Sequence, residues 1–441
     1  MIVGDLLAKR LAELGVRTVF GESVVTSTDQ PAVGHTPVGE ADLAVLLADA
    51  AGRIGEVDGA GRLGAALLPD GVLHLSSRPG GTASPRTVST PGELLDALVD
   101  PPGVLTPDTS AVHLDLDLSA PVEESVAASV ERARRPVYTL DPSLSGMRIL
   151  AVVGPGLVRA RGVDGLHSFS RAAAAGVVNT WGAKGVERWD SPWHFGTVGL
   201  QERDLELAGV GDADLLVVSG LDPAELAVEA LSNPLVQEVH PGQLVALCAH
   251  WEDRPDPPDS RPALYDSLAG VVTPLYEDEG APLSAPRAAL HLSGALPEGS
   301  MALVDPGLAG FWVARTFPTS IPNSVCVPAE ATAGEASGFA SAAALVCRLE
   351  RRQCLAVTDA RGAEAPETAA VLAFAEHLGV PVALQVWRDE HAPTGSWSSA
   401  GDHLSLLSEH LDPHEVRVDD VPVRLGEVSA IEAVAGPVRA G

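Results

Sequence analysis

The sequence predicts an α/β protein built on mainly parallel sheets flanked by helices, and three observations carry that expectation. Apolar, β-branched runs of strand length alternate with helix-length amphipathic segments along most of the chain. Within residues 331–390, two such runs, 354–358 and 380–387, are separated by a helical segment. They end in Asp359 and in Arg388 with Asp389, the order of a parallel pair joined by a crossover helix. Finally, 441 residues exceed what one core ordinarily organises, so two or three domains are expected.

In chain order, Asp5 is placed to cap a helix with Leu7, Leu11 and Leu14 on one face, and Gly15 to end it before a strand over 16–20. Glu40 precedes a helix that runs through Asp49 to Arg53. Residues 75–85 are loop-like, a helix is expected over 91–99, and the alternation over 112–118 reads as a strand. A Pro- and Ser-rich connector over 136–146 leads to a strand over 148–153 and the turn Gly154, Pro155, Gly156. Arg159 stands where a dinucleotide fingerprint would carry its third glycine, so the turn reads as structural punctuation. Acidic, Pro-rich text over 252–286 reads as a surface connector. A small-residue helix over 342–349 precedes the 354–358 strand, and Gly379 closes the next helix.

Composition excludes several function classes. With 46% hydrophobic and 20% charged residues the chain is globular. Acidic residues outnumber basic ones 59 to 29, giving a net charge of −30, a field that repels nucleic acid and anionic membrane, so neither is expected as a partner. No apolar run reaches transmembrane length and no secretory leader pattern opens the chain, which makes a cytoplasmic location the expectation. Cys248, Cys326, Cys347 and Cys354 form no CxxC pair and fit buried thiols in a reducing compartment. There is no nucleophile elbow and no P-loop, and His403, His410 and His414 lack zinc spacing and are expected at the surface.

Several stretches together resemble the thiamine diphosphate enzymes, most closely the acetolactate synthase class. Residues 4–21 are similar to the opening of that family's pyrimidine-binding domain. Residues 180–185, 191–199 and 212–222 follow its central domain in order and phrasing. Thr358, Asp359 and Ala360 stand where the family has Gly-Asp-Gly, and Arg388 with Asp389 stands where it has an Asn pair. The resemblance implies a shortened pyrimidine-binding-like domain over 1–140, a Rossmann-like central domain over 141–285 and a shortened diphosphate-binding-like domain over 286–441. Ser300 to Gly307 is similar to the Asp-x-Gly segment that ends the last domain's first strand.

What the resemblance implies about the site follows residue by residue. Asp359 and Asp389 would hold a magnesium ion on the cofactor's diphosphate, oxygen ligands suiting that hard cation. Ser337, Gly338, Thr358, Ala360 and Gly362 would border the cofactor, with Ser337 where the family places a Met wedge. Glu40 would protonate the aminopyrimidine; a solvated helix-start Glu favoured by the helix dipole fits the same position equally well. Cβ atoms at Thr358 and Ala360 would cost roughly 1–2 kcal/mol if positive φ were required there. Thiamine diphosphate and magnesium are therefore expected to bind weakly or not at all, and FAD is not expected. Two functions remain open. One is decarboxylation and carboligation of a 2-oxo acid through the thiazolium ylide. The other is a non-catalytic homologue serving assembly or regulation, beside a full-length relative. A homodimer or tetramer is expected for either, the small residues 340–344 suiting close packing.

Overall fold

The computed structural model describes residues 1–27, 32–55, 62–76, 86–98, 111–122, 139–233, 235–249, 251, 256, 260–329, 338–390 and 397–439. Three sheets form among them. The chain divides into two compact units, Met1–Glu56 with Ala60–Pro136, and Val57–Gly59 with Val137–Gly441. The first unit carries one sheet and the second carries two, so the boundary expected near 285 falls inside the second unit.

In the first unit the helix Val3–Glu13 buries Leu7 and Leu11 completely, and Gly15 ends it at φ 85°. Asp5 lies in the first turn instead of at the cap: its Oδ2 accepts from the Ile2 amide at 2.9 Å and from the Ser27 hydroxyl at 2.6 Å. The strands are β1 (Thr18–Gly21), β2 (Gly34–Pro37), β3 (Gly64–Leu67), β4 (Val72–Ser76), β5 (Arg86–Val88) and β6 (Ala111–Leu114), in the order β2-β1-β3-β4-β6-β5. β4 runs antiparallel to both neighbours and the remaining pairs are parallel. The cause is the short link from Leu67 to Val72, closed by the Leu68 amide on Val72 O at 2.9 Å; a parallel crossover needs a dozen or more residues. Leu75, read from sequence as loop, is a buried residue of β4.

The second sheet is wholly parallel: β7 (Ile149–Val153), β8 (Gly176–Thr180), β9 (His194–Val198), β10 (Leu215–Ser219) and β11 (Val236–Glu238), in the order β11-β10-β7-β8-β9. Every residue of β7, β8 and β10 is buried, as a sheet covered on both faces requires. The strand order reverses between β7 and β10, where open sheets of this kind leave a crevice for ligands. Here backbone fills that place. The Gly156 amide donates to Gly220 O at 2.8 Å, and a Cβ on Gly154 would stand 2.5 Å from that same oxygen. The glycines of the 154–156 turn serve this close approach.

The third sheet is also parallel: β12 (Leu283–Ser284), β13 (Met301–Val304), β14 (Val325–Cys326), β15 (Cys354–Asp359), β16 (Ala383–Asp389) and β17 (Arg417–Arg424), in the order β12-β17-β16-β15-β13-β14. The helix Phe339–Leu349 is buried from Phe339 to Cys347, so its small residues pack within the chain.

A buried ion pair fastens the third sheet's helices to the second sheet. Arg315, on the helix Leu308–Thr316, donates to both carboxylate oxygens of Asp204 at 2.8 and 2.7 Å and to Thr197 O at 2.8 Å. Asp204 Oδ2 also accepts from the Leu200 and Gln201 amides, each at 2.9 Å. The Trp181 indole donates to Val327 O at 3.1 Å, and the Gln201 side-chain Nε2 to Gly436 O at 2.7 Å. Removing one partner of such a pair strands the other charge. Asp204→Ala is expected to lower unfolding free energy by about 3–5 kcal/mol in a urea titration; a loss below about 1 kcal/mol, the size of a surface pair, would contradict this.

Candidate functional site

The carboxyl edge of the third sheet gathers the sequence-predicted acids. β13, β15 and β16 are adjacent and parallel, with Val304 paired to Val357 and Asp359 paired to Trp387. Asp305 therefore follows β13, Asp359 ends β15, and Asp389 ends β16 two residues beyond the partner of Asp359. At a strand rise of about 3.3 Å per residue, Asp389 stands further along the edge.

Asp359 caps the helix Ala360–Ala363: its Oδ1 accepts from the Arg361 amide at 3.0 Å and the Gly362 amide at 3.2 Å. Its Oδ2 turns toward the β13 side, where a Cβ on Gly307 would come within 2.5 Å of it. Gly307 has φ 111°, so glycine is needed there for both conformation and space. Asp389 turns the opposite way. Its Oδ1 accepts from the Gly426 amide at 3.0 Å, beyond β17, and a Cβ on Gly426 would lie 2.9 Å from its Oδ2. Arg388 is tied to Asp420 at 3.0 Å.

The two expected magnesium ligands thus face opposite flanks of the strand pair. As placed they do not fit a shared ion on a diphosphate, and no chemistry is derived through that group. Among the described residues no group of three or more His, Cys, Asp or Glu side chains could hold a metal ion.

The expected cofactor-bordering residues fall as follows. Gly338 starts the helix Phe339–Leu349 in the left-handed conformation, φ 80°, against Glu367 and Thr368. Thr358 is buried within β15 and Ala360 is the first helical residue, neither with positive φ, so the conformational cost expected for their Cβ atoms does not arise. Gly362 packs against Thr358 and Asp305: a Cβ there would meet Thr358 Oγ1 at 2.1 Å and Asp305 Oδ2 at 2.9 Å. Ser337 lies outside the described residues. Glu40, in the first unit, is the extended residue before the helix Ala41–Ile54; it is exposed and its side chain makes no cap hydrogen bond.

Two features were missed from sequence. His403 and His410, expected at the surface, are buried, while His414 is exposed. The helix Ala400–Leu411 turns residues 400, 403, 407 and 410 to one face, a period that was readable. His403 Nε2 meets Gln385 Oε1 at 3.0 Å and its Nδ1 meets His291 Nδ1 at 3.2 Å; burial pulls His403 down to about 3 and His291 to about 4.

The second is Asp305, whose Asp-x-Gly spacing to Gly307 was noted only as a strand end. It is 2% exposed and its Oδ1 accepts from the Ala340 amide at 2.8 Å. Burial raises its carboxyl to about 7; the Thr358 hydroxyl and the Ala340 amide pull the other way, and the charge of Asp359 adds to the rise. From about pH 4 to about pH 7 the folded chain then keeps a proton that the unfolded chain has released, so this group's contribution to stability falls as pH rises through that window. The buried histidines act in the opposite direction, and comparison with a variant isolates Asp305. Asp305→Asn keeps an acceptor for Ala340 and is expected to gain stability relative to the parent between pH 5 and pH 8, on the order of a few kcal/mol. Urea midpoints measured at both values check this; an equal parent-to-variant difference at the two would contradict it.

No protein-family profile and no curated protein matches the sequence. Among solved structures, the chain is similar to a protein isolated from Mycobacterium smegmatis and described as a candidate thiamin diphosphate-dependent enzyme, with a TM-score of 0.61 and 16% identity. The match covers 96% of this chain and 99% of that one. At that identity the likeness is one of fold: this chain has an α/β architecture of mainly parallel sheets flanked by helices, matching the fold of that neighbour along nearly its whole length.

Proposed function

We propose that this chain is a thiamine diphosphate-enzyme-like protein of the acetolactate synthase type that has lost strong cofactor binding, and that it serves assembly or regulation beside a full-length relative. The observation that supports this reading is the opposed orientation of Asp359 and Asp389, each carboxylate satisfied by backbone amides on its own flank. For either to turn toward a common magnesium ion, amide hydrogen bonds to a charged acceptor would be given up, and such bonds are worth about 1.5–3 kcal/mol each. A homodimer or tetramer in the cytoplasm remains part of the proposal.

A second reading is that of an active enzyme on a 2-oxo acid. It is favoured by Asp359 Oδ2 facing the positive-φ Gly307 and by the exposed Glu40 at a helix start. Calorimetric titration with thiamine diphosphate and magnesium separates the two. Weak or undetectable binding is expected, and whatever binding exists should vanish in Asp359→Ala. Micromolar, magnesium-dependent binding together with pyruvate decarboxylation that Glu40→Gln slows by about 10²–10⁴-fold would establish the second reading instead.

A further inference from the structure

The helix Ala400–Leu411 is fastened to the third sheet by polar contacts as well as apolar ones. Its fully buried His403 meets Gln385 of β16 on one side and, on the other, the buried His291 of the helix Ala285–Ala295. The hydrogen positions follow from donor counting. An indole N–H only donates, and Trp387 Nε1 lies 3.3 Å from Gln385 Oε1, so that atom is the carbonyl oxygen of the side-chain amide. His403 Nε2, 3.0 Å from the same oxygen, then carries a hydrogen, which leaves its Nδ1 a bare acceptor. The facing His291 Nδ1, 3.2 Å away, is the donor, and His291 Nε2 is left bare, buried and without a partner. Two neutral rings with one hydrogen each close this chain in a single arrangement.

Further protons have two unequal places to go. One on His291 Nε2 keeps the bond between the rings but puts a charge in the core, in the field of Arg287 one turn earlier on the same helix. One on His403 Nδ1 sets N–H against N–H at 3.2 Å, and the bond between the rings is lost. The surroundings supply no acid to either ring. Arg287 reaches Tyr276 O and Glu279. β16 presents Gln385 and Trp387, which do not titrate, and β15 adds apolar Leu355 and Val357 to the core there. His410, farther along the helix, is taken by Asp419 at 2.8 Å, which Arg417 also holds.

We propose that the His291–His403 pair is a proton-sensitive clamp: the one N–H shared by two neutral rings holds the helix Ala400–Leu411 against the helix Ala285–Ala295 and β16, and uptake of a proton by each ring releases it while the rest of the third sheet stays folded. Burial, and after it Arg287, holds His291 down to about 4; burial, then His291 and His410, holds His403 to about 3. Both lie below the ordinary imidazole value of about 6.5. Between those values and about pH 6.5 the clamped helix binds fewer protons than the released one, so its stability is full above the window and falls as pH drops through it. Each proton favours release about tenfold per pH unit, and the pair about hundredfold. The clamp uses no residue of the cofactor edge.

Nitrogen-15 spectra of the histidine rings at neutral pH are expected to show His403 protonated at Nε2 and His291 at Nδ1. Hydrogen exchange of amides 400–411, corrected for the intrinsic effect of pH, then reads release itself. From about pH 5.5 to about pH 4.5 opening should rise roughly hundredfold, with up to about tenfold more from His410, whose burial also lowers it. The helix Phe339–Leu349 should keep its protection over that range. His291→Gln and His403→Gln should each reduce the dependence by about tenfold, one proton apiece. Both rings in the same tautomer, an unchanged pH dependence in the two variants, or protection lost across the whole third sheet together with the helix would overturn the proposal.

Discussion

Arg315 and Asp204 sit between two sheets with almost no solvent contact, and much of the second unit's arrangement depends on their pairing. Two charges this deep are tolerated when they are paired in good geometry and further hydrogen bonds satisfy most of their remaining polar atoms. Asp204 meets that condition through two amides and the Arg315 Nη2 shared by both its oxygens, and Arg315 through the carboxylate and a strand carbonyl, with its Nε left without a partner. One constraint therefore joins the two sheets of the second unit.

At the third sheet's carboxyl edge the decisive factor is strand register. Asp359 is level with Trp387, whereas Asp389 is level with Val423 of β17. Each carboxylate then finds its donors on its own side: the first turn after β15 for Asp359, the loop after β17 for Asp389. Like charges on adjacent strand ends are kept apart without a cation between them. Burial first, with the Asp359 charge adding to it, holds the proton on Asp305 toward neutral pH.

Much of this was readable from the residues. The β-branched run into Asp359, the helix closed by Gly379 and the strand into Asp389 are where the alternation placed them, because strand-length apolar runs bounded by glycine leave little choice. The antiparallel β4 was not readable from apolar pattern, since its direction is set by the length of the link after β3. Nor was the harmlessness of Thr358 and Ala360, which depends on ordinary strand and helix dihedrals at those positions. The sequence places two acids at neighbouring strand ends; the Arg361 and Gly362 amides and the space left at Gly307 set the direction of Asp359, and the Gly426 amide, remote in sequence, sets that of Asp389. His403 and His410 carried a legible helical period that residue type obscured.

The account's central claim is that Asp359 and Asp389 do not share an ion, and crystals grown with manganese and thiamine diphosphate test it most directly, because anomalous scattering locates manganese without reference to activity. The account predicts no manganese peak within bonding distance of both carboxylates, with Asp389 still on the Gly426 amide. A fully occupied ion coordinated by Asp359 and Asp389 together, with the diphosphate as a further ligand, would contradict it.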